Sequence, residues 1–369
     1  MKKGLLALTA LLCACLCACG VAETDPPDGF APPAATRYAE RFTIAYDAAG
    51  RALVTIDGAE RFLVVPEDAE VPDTSDGVTV LRVPLRTIYV AASSAMDFFC
   101  RLDALDAVRF TSTLPDNWSL AAVRDAIDAG NVLYAGKYSA PDFELLLSER
   151  CSLAIESTMI YHSPDIRERL EALGVPVLVE RSSYETDPLG RMEWIKLYGL
   201  LTGREAEADA FFDEQTELVE QIRAEEPTGK TAAFFAVSPN GYVNVRKPGD
   251  YVSKMIELAG GTYALADALP EAENARYAVN MQMEAFYAAA RDADVLIYDG
   301  TIDGGMDTLT QLYGKSELFR DFKAAQNGDV WCVERNMFQE PTAAGGVIAD
   351  LRAVFSGETA PLKYMRRLS

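Results

Sequence analysis

The sequence contains one histidine, His162, in 369 residues. A zinc or manganese site built from several histidines is therefore excluded. Serine–histidine–acid catalysis would have to use this one residue, and no Gly-x-Ser-x-Gly turn precedes a helix. P-loop, His-Glu-x-x-His and Gly-x-Gly-x-x-Gly motifs are also missing from the predicted strand–helix junctions. The one catalytic hypothesis left is a carboxylate pair, such as Glu156 with Asp299, that hydrolyses a glycoside. We therefore expect no enzyme and no cofactor.

Basic residues are scarce, since 34 lysines and arginines stand against 56 acids and give a formal net charge of −22. An acidic surface repels the phosphate backbone of nucleic acids, so we exclude them as partners. Cysteines are few beyond residue 20, where only Cys100, Cys151 and Cys332 occur, none of them in a Cys-x-x-Cys pair. We expect buried free thiols, with one disulfide open as an alternative outside the cell.

The amino terminus holds the other cysteines, four of them in the stretch LLCACLCACG at residues 11–20. Two lysines, Lys2 and Lys3, precede an apolar run over residues 4–16. This run has the length of the apolar part of a signal peptide and is too short to span a membrane. A cysteine at every second position does not match the spacing of a zinc site.

The tetrapeptide LCAC, which ends at Cys19, resembles the bacterial lipobox. The resemblance implies a signal peptide over residues 1–18, diacylglycerol on the Cys19 thiol and acyl chains that hold the protein in a lipid bilayer. Cys15 or Cys17 is the alternative site of modification. The predicted location is extracytoplasmic, on a cell surface or in a periplasm.

The rest of the chain divides into four segments. Residues 19–41 are rich in proline, alanine and acid, which predicts a flexible tether. Residues 42–187 begin with apolar runs split by glycine turns, typical of β-hairpins, and continue with short apolar strands that alternate with helices. Residues 188–225 read as a linking helix with a bend or break at Gly203. Strand–helix alternation resumes over residues 226–369. We predict an α/β fold of two lobes, each with a mainly parallel sheet, joined by one long rigid helix.

Several segments, in this order and behind a lipobox, resemble the substrate-binding proteins of ABC importers for iron–siderophore, haem and cobalamin. They are AASSAMDFFCRLDALDAV, AGKYSAPDFELLLSERCSLAIES, ERSSYETDPLGRMEWIKLYGLLTGREAEADAFF, KPGDYVSKMIELAGG and VNMQMEAFYAAARDADVLIYDG. The resemblance implies two α/β lobes bridged by a rigid helix, with the ligand between them. It also implies delivery of that ligand to an ABC permease dimer with a cytoplasmic ATPase.

The same resemblance implies one exposed acid on each lobe that docks onto basic residues of the permease. Glu144 matches in the first lobe and Glu284 in the second. Two widely spaced carboxylates on one rim would fix the register on a two-fold permease by charge pairing. The helix of Glu284 is about two residues longer than the family spacing, so Glu273 and Glu271 stay as alternatives.

Ligands of open α/β sheets bind at the carboxyl ends of the strands. Aromatic rings suit a flat chelate and arginines suit its anionic groups. The candidate residues by these criteria are Ser94, Trp118, Tyr138, Tyr161, His162, Arg181 and Tyr184 in the first lobe and Tyr242, Arg246, Asp299 and Arg335 in the second.

The preferred ligand is a ferric siderophore or a related iron complex, so any iron or cobalt belongs to the ligand rather than to the protein. A corrinoid such as cobalamin and haem are the alternatives within the same importer class. Only these two give His162 a role, as an axial ligand of the metal, with the neighbouring Tyr161 and Met159 as alternative ligands. A surface binder without a transport role is the third class considered.

Overall fold

The computed structural model describes residues 29–74, 77–269, 278–301, 303–334, 337–358 and 361–369. The predicted signal peptide, Cys19, Glu271, Glu273 and Arg335 lie outside the described residues. No helix within those ranges is both long and apolar enough to cross a bilayer.

The amino-terminal part forms a four-stranded sheet. Its strands are β1 (Phe42–Tyr46), β2 (Ala52–Ile56), β3 (Glu60–Pro66) and β4 (Val78–Val83), in that order. The first three are antiparallel and β4 runs parallel to β3. The hairpins predicted over residues 42–65 are confirmed, whereas the sequence analysis did not identify β4.

The first lobe is built on a parallel sheet with the order β11-β10-β5-β6-β7. The elements in chain order are β5 (Ile88–Val90), α1 (Ala95–Arg101), β6 (Val108–Thr111), α2 (Ala121–Asp128), β7 (Leu133–Tyr134), β8 (Gly136–Lys137), β9 (Ala140–Pro141), α3 (Phe143–Ser148), β10 (Leu153–Glu156), α4 (Pro164–Ala172) and β11 (Val177–Val179). Every residue of β5, β10 and β11 is buried. Apart from Glu156 at the end of β10, these strands are apolar, as expected for a parallel sheet that is covered on both faces.

The connection between the lobes consists of three helices rather than the single helix predicted over residues 188–225. They are α5 (Pro188–Glu193), α6 (Ile195–Thr202) and α7 (Glu205–Arg223). Gly203 ends α6 in the left-handed conformation, with φ of +69°. This conformation favours glycine, so the expected break at Gly203 is confirmed.

The second lobe is built on a mixed sheet with the order β15-β13-β12-β16-β17-β18, and β14 pairs with β12. Its elements are β12 (Thr231–Val237), β13 (Val243–Arg246), α8 (Tyr251–Leu258), β14 (Thr262–Tyr263), β15 (Ala278–Met281), α9 (Met283–Ala290), β16 (Val295–Tyr298), α10 (Leu309–Lys315), α11 (Lys323–Asn327), β17 (Val330–Val333), α12 (Ala344–Ser356) and β18 (Met365–Arg367). Strands β12, β16 and β17 are parallel, whereas β13, β15 and β18 are antiparallel to their neighbours. The two-lobed α/β fold is confirmed.

Residues 29–41 lie against the fold, although the sequence predicts a flexible tether as far as residue 41. The Glu193 carboxylate accepts hydrogen bonds from the backbone N–H groups of Arg37, Tyr38 and Ala39 at 2.8–2.9 Å. A Cβ atom at Gly190 would lie 2.7 Å from the Tyr38 carbonyl oxygen, so glycine permits this close approach. The buried carboxylate, which composition does not reveal, fixes the segment.

The lobes also touch away from the linking helices. The Gln339 side chain, after β17, accepts a hydrogen bond of 2.8 Å from the Ser119 N–H and donates one of 2.8 Å to the Asn117 carbonyl. Asp97 of α1 accepts one from the N–H of Thr342, just before α12. Polar contacts on this side therefore restrict how far the lobes can separate.

Candidate ligand-binding cleft

A cleft of about 380 Å³ is lined by residues of both lobes and of the linking helices. Its first wall begins with the turn after β5 and continues through the segment between β11 and α5 into α5 itself. The residues of this wall are Ser93, Ser94, Ser183, Glu185, Thr186 and Arg191. Hydroxyl groups, one carboxylate and one guanidinium therefore face the cleft from this side.

The second wall comes from the end of β13, the turn that follows it and the loop after β17. Its residues are Arg246, Gly249, Asp250, Tyr251 and Phe338. Asp250 begins α8 by accepting a hydrogen bond of 2.9 Å from the Val252 N–H, a standard helix cap. The cap places the Tyr251 ring at the start of the helix, where it faces the first wall.

Arg246 is the cation of the second wall. Its Nη2 atom lies 3.5 Å from Asp299 Oδ2, and the guanidinium carbon lies 4.8 Å from the centre of the Phe338 ring. Burial lowers the pKa of Arg246, but Tyr251, Asp250 and Asp299 outweigh it and raise the pKa above its usual value. The guanidinium is thus held as a cation between an aromatic face and buried carboxylates.

Arg191 is the cation of the first wall. Its guanidinium carbon lies 3.8 Å from the centre of the Tyr251 ring, across the cleft from α5. Burial raises the pKa of the Tyr251 hydroxyl to about 12, so this side chain is a neutral phenol at physiological pH. This cation–π contact connects the linking helices to the second lobe.

The acids around the cleft are all buried. Burial raises the pKa of Glu185, Asp250 and Asp299. Glu185 accepts hydrogen bonds from the N–H groups of Glu40 and Arg41 and from Trp194 Nε1, all at 2.9 Å. The backbone and indole donors occupy this carboxylate from within the protein.

Three of the predicted ligand-binding residues meet at this cleft. Ser94 and Arg246 line it, and Asp299 lies directly behind Arg246. Asp299 follows β16 at the carboxyl end of the strand, and Ser94 follows β5 in the same way. Both residues were predicted from the rule that ligands of open α/β sheets bind at the carboxyl ends of strands. Both strands are central in their sheets.

Four other candidates group beside the amino-terminal sheet instead. Arg181 pairs with Asp57, in the turn between β2 and β3, at 2.9 Å, and donates a hydrogen bond of 2.9 Å to the Tyr161 hydroxyl. Tyr184 shares a hydrogen bond of 2.6 Å with Thr158. Tyr161 and the adjacent His162 are exposed. None of the four lines the described cleft.

Trp118 is buried, with 2% of its surface exposed, and belongs to the hydrophobic core. Tyr138 lies in the turn between β8 and β9, and Tyr242 is exposed just before β13. Tyr138 follows the carboxyl end of β8 as expected, whereas Trp118 lies between β6 and α2 and Tyr242 lies at the amino end of β13. None of the three lines the described cleft.

Sequence reasoning missed several lining residues, namely Glu185, Thr186, Arg191, Asp250 and Tyr251. The stretch PLGRMEW carried a signal, because Arg191 and Glu193 are the two charges in an otherwise buried helix. A buried charge requires a partner. Arg191 has the Tyr251 ring, and Glu193 has three backbone N–H donors.

The two predicted docking acids occupy matching places in the lobes. Glu144 lies in the first turn of α3, which precedes β10, the neighbour of β5. Glu284 lies in the first turn of α9, which precedes β16, the neighbour of β12. Both are exposed, and neither makes a hydrogen bond or ion pair with another described residue.

The sequence model of a family described as periplasmic binding protein matches residues 111–334. Among curated proteins, an uncharacterized lipoprotein of Methanocaldococcus jannaschii is 28% identical over 327 residues, covering 83% of this chain and 78% of the relative. Since the family model leaves out residues 1–110, this coverage must include part of that amino-terminal region.

Two solved structures show the same fold at low identity. The periplasmic haem-binding protein HutB of Vibrio cholerae gives a TM-score of 0.58 at 14% identity, covering 72% of this chain and 98% of HutB. The periplasmic catecholate-siderophore-binding protein VctP of Vibrio cholerae gives 0.56 at 15% identity, covering 73% and 93%. Because one fold serves both ligands, the fold does not choose between them.

Proposed function

Because the chain belongs to the periplasmic binding protein family, we propose that it is a lipid-anchored solute-binding protein that captures a ferric siderophore-like chelate and delivers it to an ABC permease. The cleft between the lobes is the observation that carries this proposal. Its mixture of guanidinium groups, hydroxyls and aromatic faces suits a chelate with a polar periphery. The family consists of binding proteins, so the chain is not an enzyme and no cofactor is indicated.

Direct titration tests the ligand class. The full chain in phospholipid nanodiscs is titrated in a calorimeter with ferric siderophores, cyanocobalamin and haemin, with empty nanodiscs as the control. Saturable binding of a ferric siderophore at submicromolar Kd supports the proposal. Binding of cyanocobalamin or haemin alone assigns the alternative ligand class of the same importer family.

Tryptophan fluorescence gives a second reading of the same titration. Trp194 is buried and donates its indole N–H to Glu185, which lines the cleft, whereas neither Trp118 nor Trp331 lines it. We expect Trp194 to report occupancy, so a Trp194→Phe variant should lose the fluorescence change and keep the calorimetric signal.

Lipid anchoring is supported by the LCAC tetrapeptide and by the lipoprotein named among the relatives. Labelling with a radioactive fatty acid in cells tests it. The label should be lost in Cys19→Ser and kept in the matched variant Cys17→Ser. Loss of label in Cys17→Ser alone would move the modification to that residue.

The predicted mechanism is capture followed by a small closure of the lobes. Three packed helices and the side chain contacts of Gln339 and Asp97 join the lobes, and such joints permit less rotation than a loop hinge. Small-angle scattering should show little compaction when the ligand is added. A large decrease in the radius of gyration would contradict the rigid linkage.

A further inference from the structure

The amino-terminal sheet has an open edge at β4. This strand is the last in the order β1-β2-β3-β4 and pairs only with β3 among the described residues. The Val83 carbonyl accepts the Glu67 N–H from the β3 side, and alternate residues of a strand point their backbone groups in opposite directions. The N–H and C=O groups of Val78, Val80 and Arg82 therefore point away from β3. No hydrogen bond joins them to another described residue, and none of the three residues is buried.

Nothing in the sequence of β4 protects this edge. Edge strands usually carry an outward lysine, a proline or a bulge that prevents further pairing. The strand reads VTVLRV and pairs with β3 in one continuous register. Its one charged residue, Arg82, donates hydrogen bonds of 3.0 and 3.1 Å to the carbonyls of Glu67 and Ala69. The guanidinium is thus turned back onto the chain that follows β3 and does not block the edge.

An apolar cavity of about 300 Å³ adjoins the same strand. Its apolar lining includes Phe30, Leu53, Leu63, Pro72 and Val78, the first residue of β4. Leu53 and Leu63 are 6% and 3% exposed, yet they belong to neither of the two large hydrophobic clusters of the protein. Because an apolar cavity of roughly 150 Å³ already holds a benzene-sized ring, this one has room for one leucine or aromatic side chain.

A free strand edge beside an apolar cavity is an arrangement that binds extended peptides. Main-chain hydrogen bonds to the edge provide affinity, and a cavity that accepts one of the alternating side chains provides specificity. A strand paired with β4 would place a side chain next to Val78, which forms one wall of the cavity. The two features therefore form one continuous surface.

The charge around this surface is negative. The described part of the connection between β3 and β4, residues 67–74, contains four exposed acids and no base. These acids are Glu67, Asp68, Glu70 and Asp73. Of the nearby arginines, Arg51 is paired with Asp47 at 2.6 Å and Arg82 is bonded to the connection itself. The surface therefore favours a partner that brings positive charge.

Two other occupants do not fit this charge. A second copy of the chain, paired edge to edge, would bring the same four acids against the first set. The tether of the chain itself, GVAETDPPD at residues 20–28, is also acidic, and its two prolines lack the N–H that a ladder requires. A basic segment of another protein meets neither obstacle.

We propose that the open edge of β4 and the adjoining cavity form a docking site for an extended segment of another protein, in which a large apolar side chain is flanked by lysine or arginine. The segment adds a fifth strand next to β4 and inserts its apolar side chain into the cavity. The site lies outside residues 111–334, the region that the family model matches, and does not depend on solute binding.

Fluorescence anisotropy with the full chain in phosphatidylcholine nanodiscs tests the site, with empty nanodiscs as the control. The probes are fluorescein-labelled peptides Lys-Thr-Lys-Val-X-Val-Lys-Thr-Lys, in which the lysines and X share one face of a strand. With leucine or phenylalanine at X, the Kd should lie below about 100 μM. Alanine at X should weaken binding about tenfold, because the cavity is left unfilled. A peptide with glutamate at every lysine position should not bind.

Backbone methylation separates an added strand from simple charge attraction. In an added strand, the N–H groups of alternate residues point at β4. N-methylation of one alternate set should weaken binding about tenfold or more, and N-methylation of the other set should have little effect. Charge attraction alone would treat the two peptides equally.

Variants of the protein test the same surface. Val80→Pro removes an outward N–H at a position where an edge strand tolerates proline, and it should weaken peptide binding about tenfold. Val80→Ala keeps the N–H and should bind like the wild type. Glu70→Lys with Asp73→Lys should weaken binding at least about fivefold, unlike the remote pair Glu168→Lys with Glu257→Lys. Thermal unfolding checks that each variant is folded, and the chelate affinity should stay unchanged.

Hydrogen exchange supplies a measurement that needs no peptide. The amides of Val78, Val80 and Arg82 should exchange rapidly in the free chain and become protected at saturating peptide. Protection in the free chain, absence of binding by every basic peptide, or equal effects of the two methylation patterns would each overturn the docking site. A dimer that Val80→Pro dissociates would replace the basic partner with a second copy of the chain. None of these results bears on solute capture in the cleft.

Discussion

The Oδ2 atom of Asp97 accepts a hydrogen bond of 2.9 Å from the backbone N–H of Thr342. Asp97 belongs to the first turn of α1 in the first lobe, and Thr342 precedes α12 in the second. The carboxyl group is 6% exposed, and burial raises its pKa to about 6. A titratable group thus lies in the contact between the lobes.

Replacing the titratable Asp97 carboxyl group should weaken the pH dependence of the free energy of unfolding. Between the ordinary pKa of about 3.9 and the native value, the folded protein binds more protons than the unfolded chain, so this contribution to stability falls as pH rises. From pH 5 to 7.5 the loss is on the order of 1 kcal/mol in the free energy of unfolding. Asp97→Asn should lose that dependence because an amide does not titrate in this range. Its oxygen can still accept the Thr342 N–H, so the contact between the lobes is kept.

Urea unfolding of both proteins at pH 5 and 7.5 measures the difference. Asp97→Ala is the control, since it also leaves the Thr342 N–H unpaired and should lower stability by about 1–3 kcal/mol at both pH values. An unchanged pH dependence in Asp97→Asn would show that Asp97 is ionised throughout this range.

Glu156, at the end of β10, gives the free energy of unfolding a second dependence on pH. It is fully buried, and neither carboxylate oxygen has a hydrogen-bond partner among the described residues. Burial raises its pKa to about 8, so the group is neutral at pH 7. The stability that this group contributes is present at low pH and lost as pH rises through 8.

Glu156→Gln should therefore gain stability relative to the wild type as the pH is raised from 6 to 9, by a few kcal/mol. Chemical unfolding at both pH values tests this. Glu168→Gln, at an exposed position of α4, is the matched control and should follow the wild type. A parallel decline of Glu156→Gln and the wild type would contradict the raised pKa.

Glu193 should control whether the amino-terminal segment stays on the fold. The change Glu193→Ala leaves three backbone N–H groups without their acceptor, at a cost of several kcal/mol if the segment were to stay in place. We expect the segment to detach instead. Hydrogen exchange at Arg37–Ala39 should then approach that of an unfolded peptide, while β12 keeps its protection.

Glu193→Gln is the intermediate variant, because its amide oxygen can still accept some of the three backbone hydrogen bonds. It should give intermediate exchange rates at the same three amides. Full protection in Glu193→Ala would mean that β1 and its neighbours hold the segment without the carboxylate.

Sequence patterns predicted the α/β lobes and most of their strands because buried parallel strands are continuous apolar runs. They predicted the break at Gly203 but missed the one at Trp194, because α5 and α6 are both mostly buried and no glycine or proline stands between them. At the cleft, Arg246 was found because it ends a strand. Arg191 was missed because it lies inside a helix and reaches the cleft only through tertiary packing against Tyr251.

The exposed acids Glu144 and Glu284, which occupy matching places in the two lobes, should be needed for transport but not for ligand binding. Glu144 and Glu284 lie far along the chain from each other, yet both begin the helix before a strand that neighbours the first strand of its lobe. Neither has a described partner that it stabilises. Their substitution should therefore leave the fold and the cleft unchanged.

Uptake of a radiolabelled ferric chelate by cells that lack the wild-type protein tests this role. Glu144→Lys and Glu284→Lys should each reduce uptake, and the double variant should abolish it, because reversed charges repel a basic permease surface. Calorimetric affinity for the chelate should stay at the wild-type value. The control pair Glu168→Lys and Glu257→Lys reverses exposed acids on α4 and α8, so equal loss of uptake in this pair would attribute the effect to total charge rather than to docking.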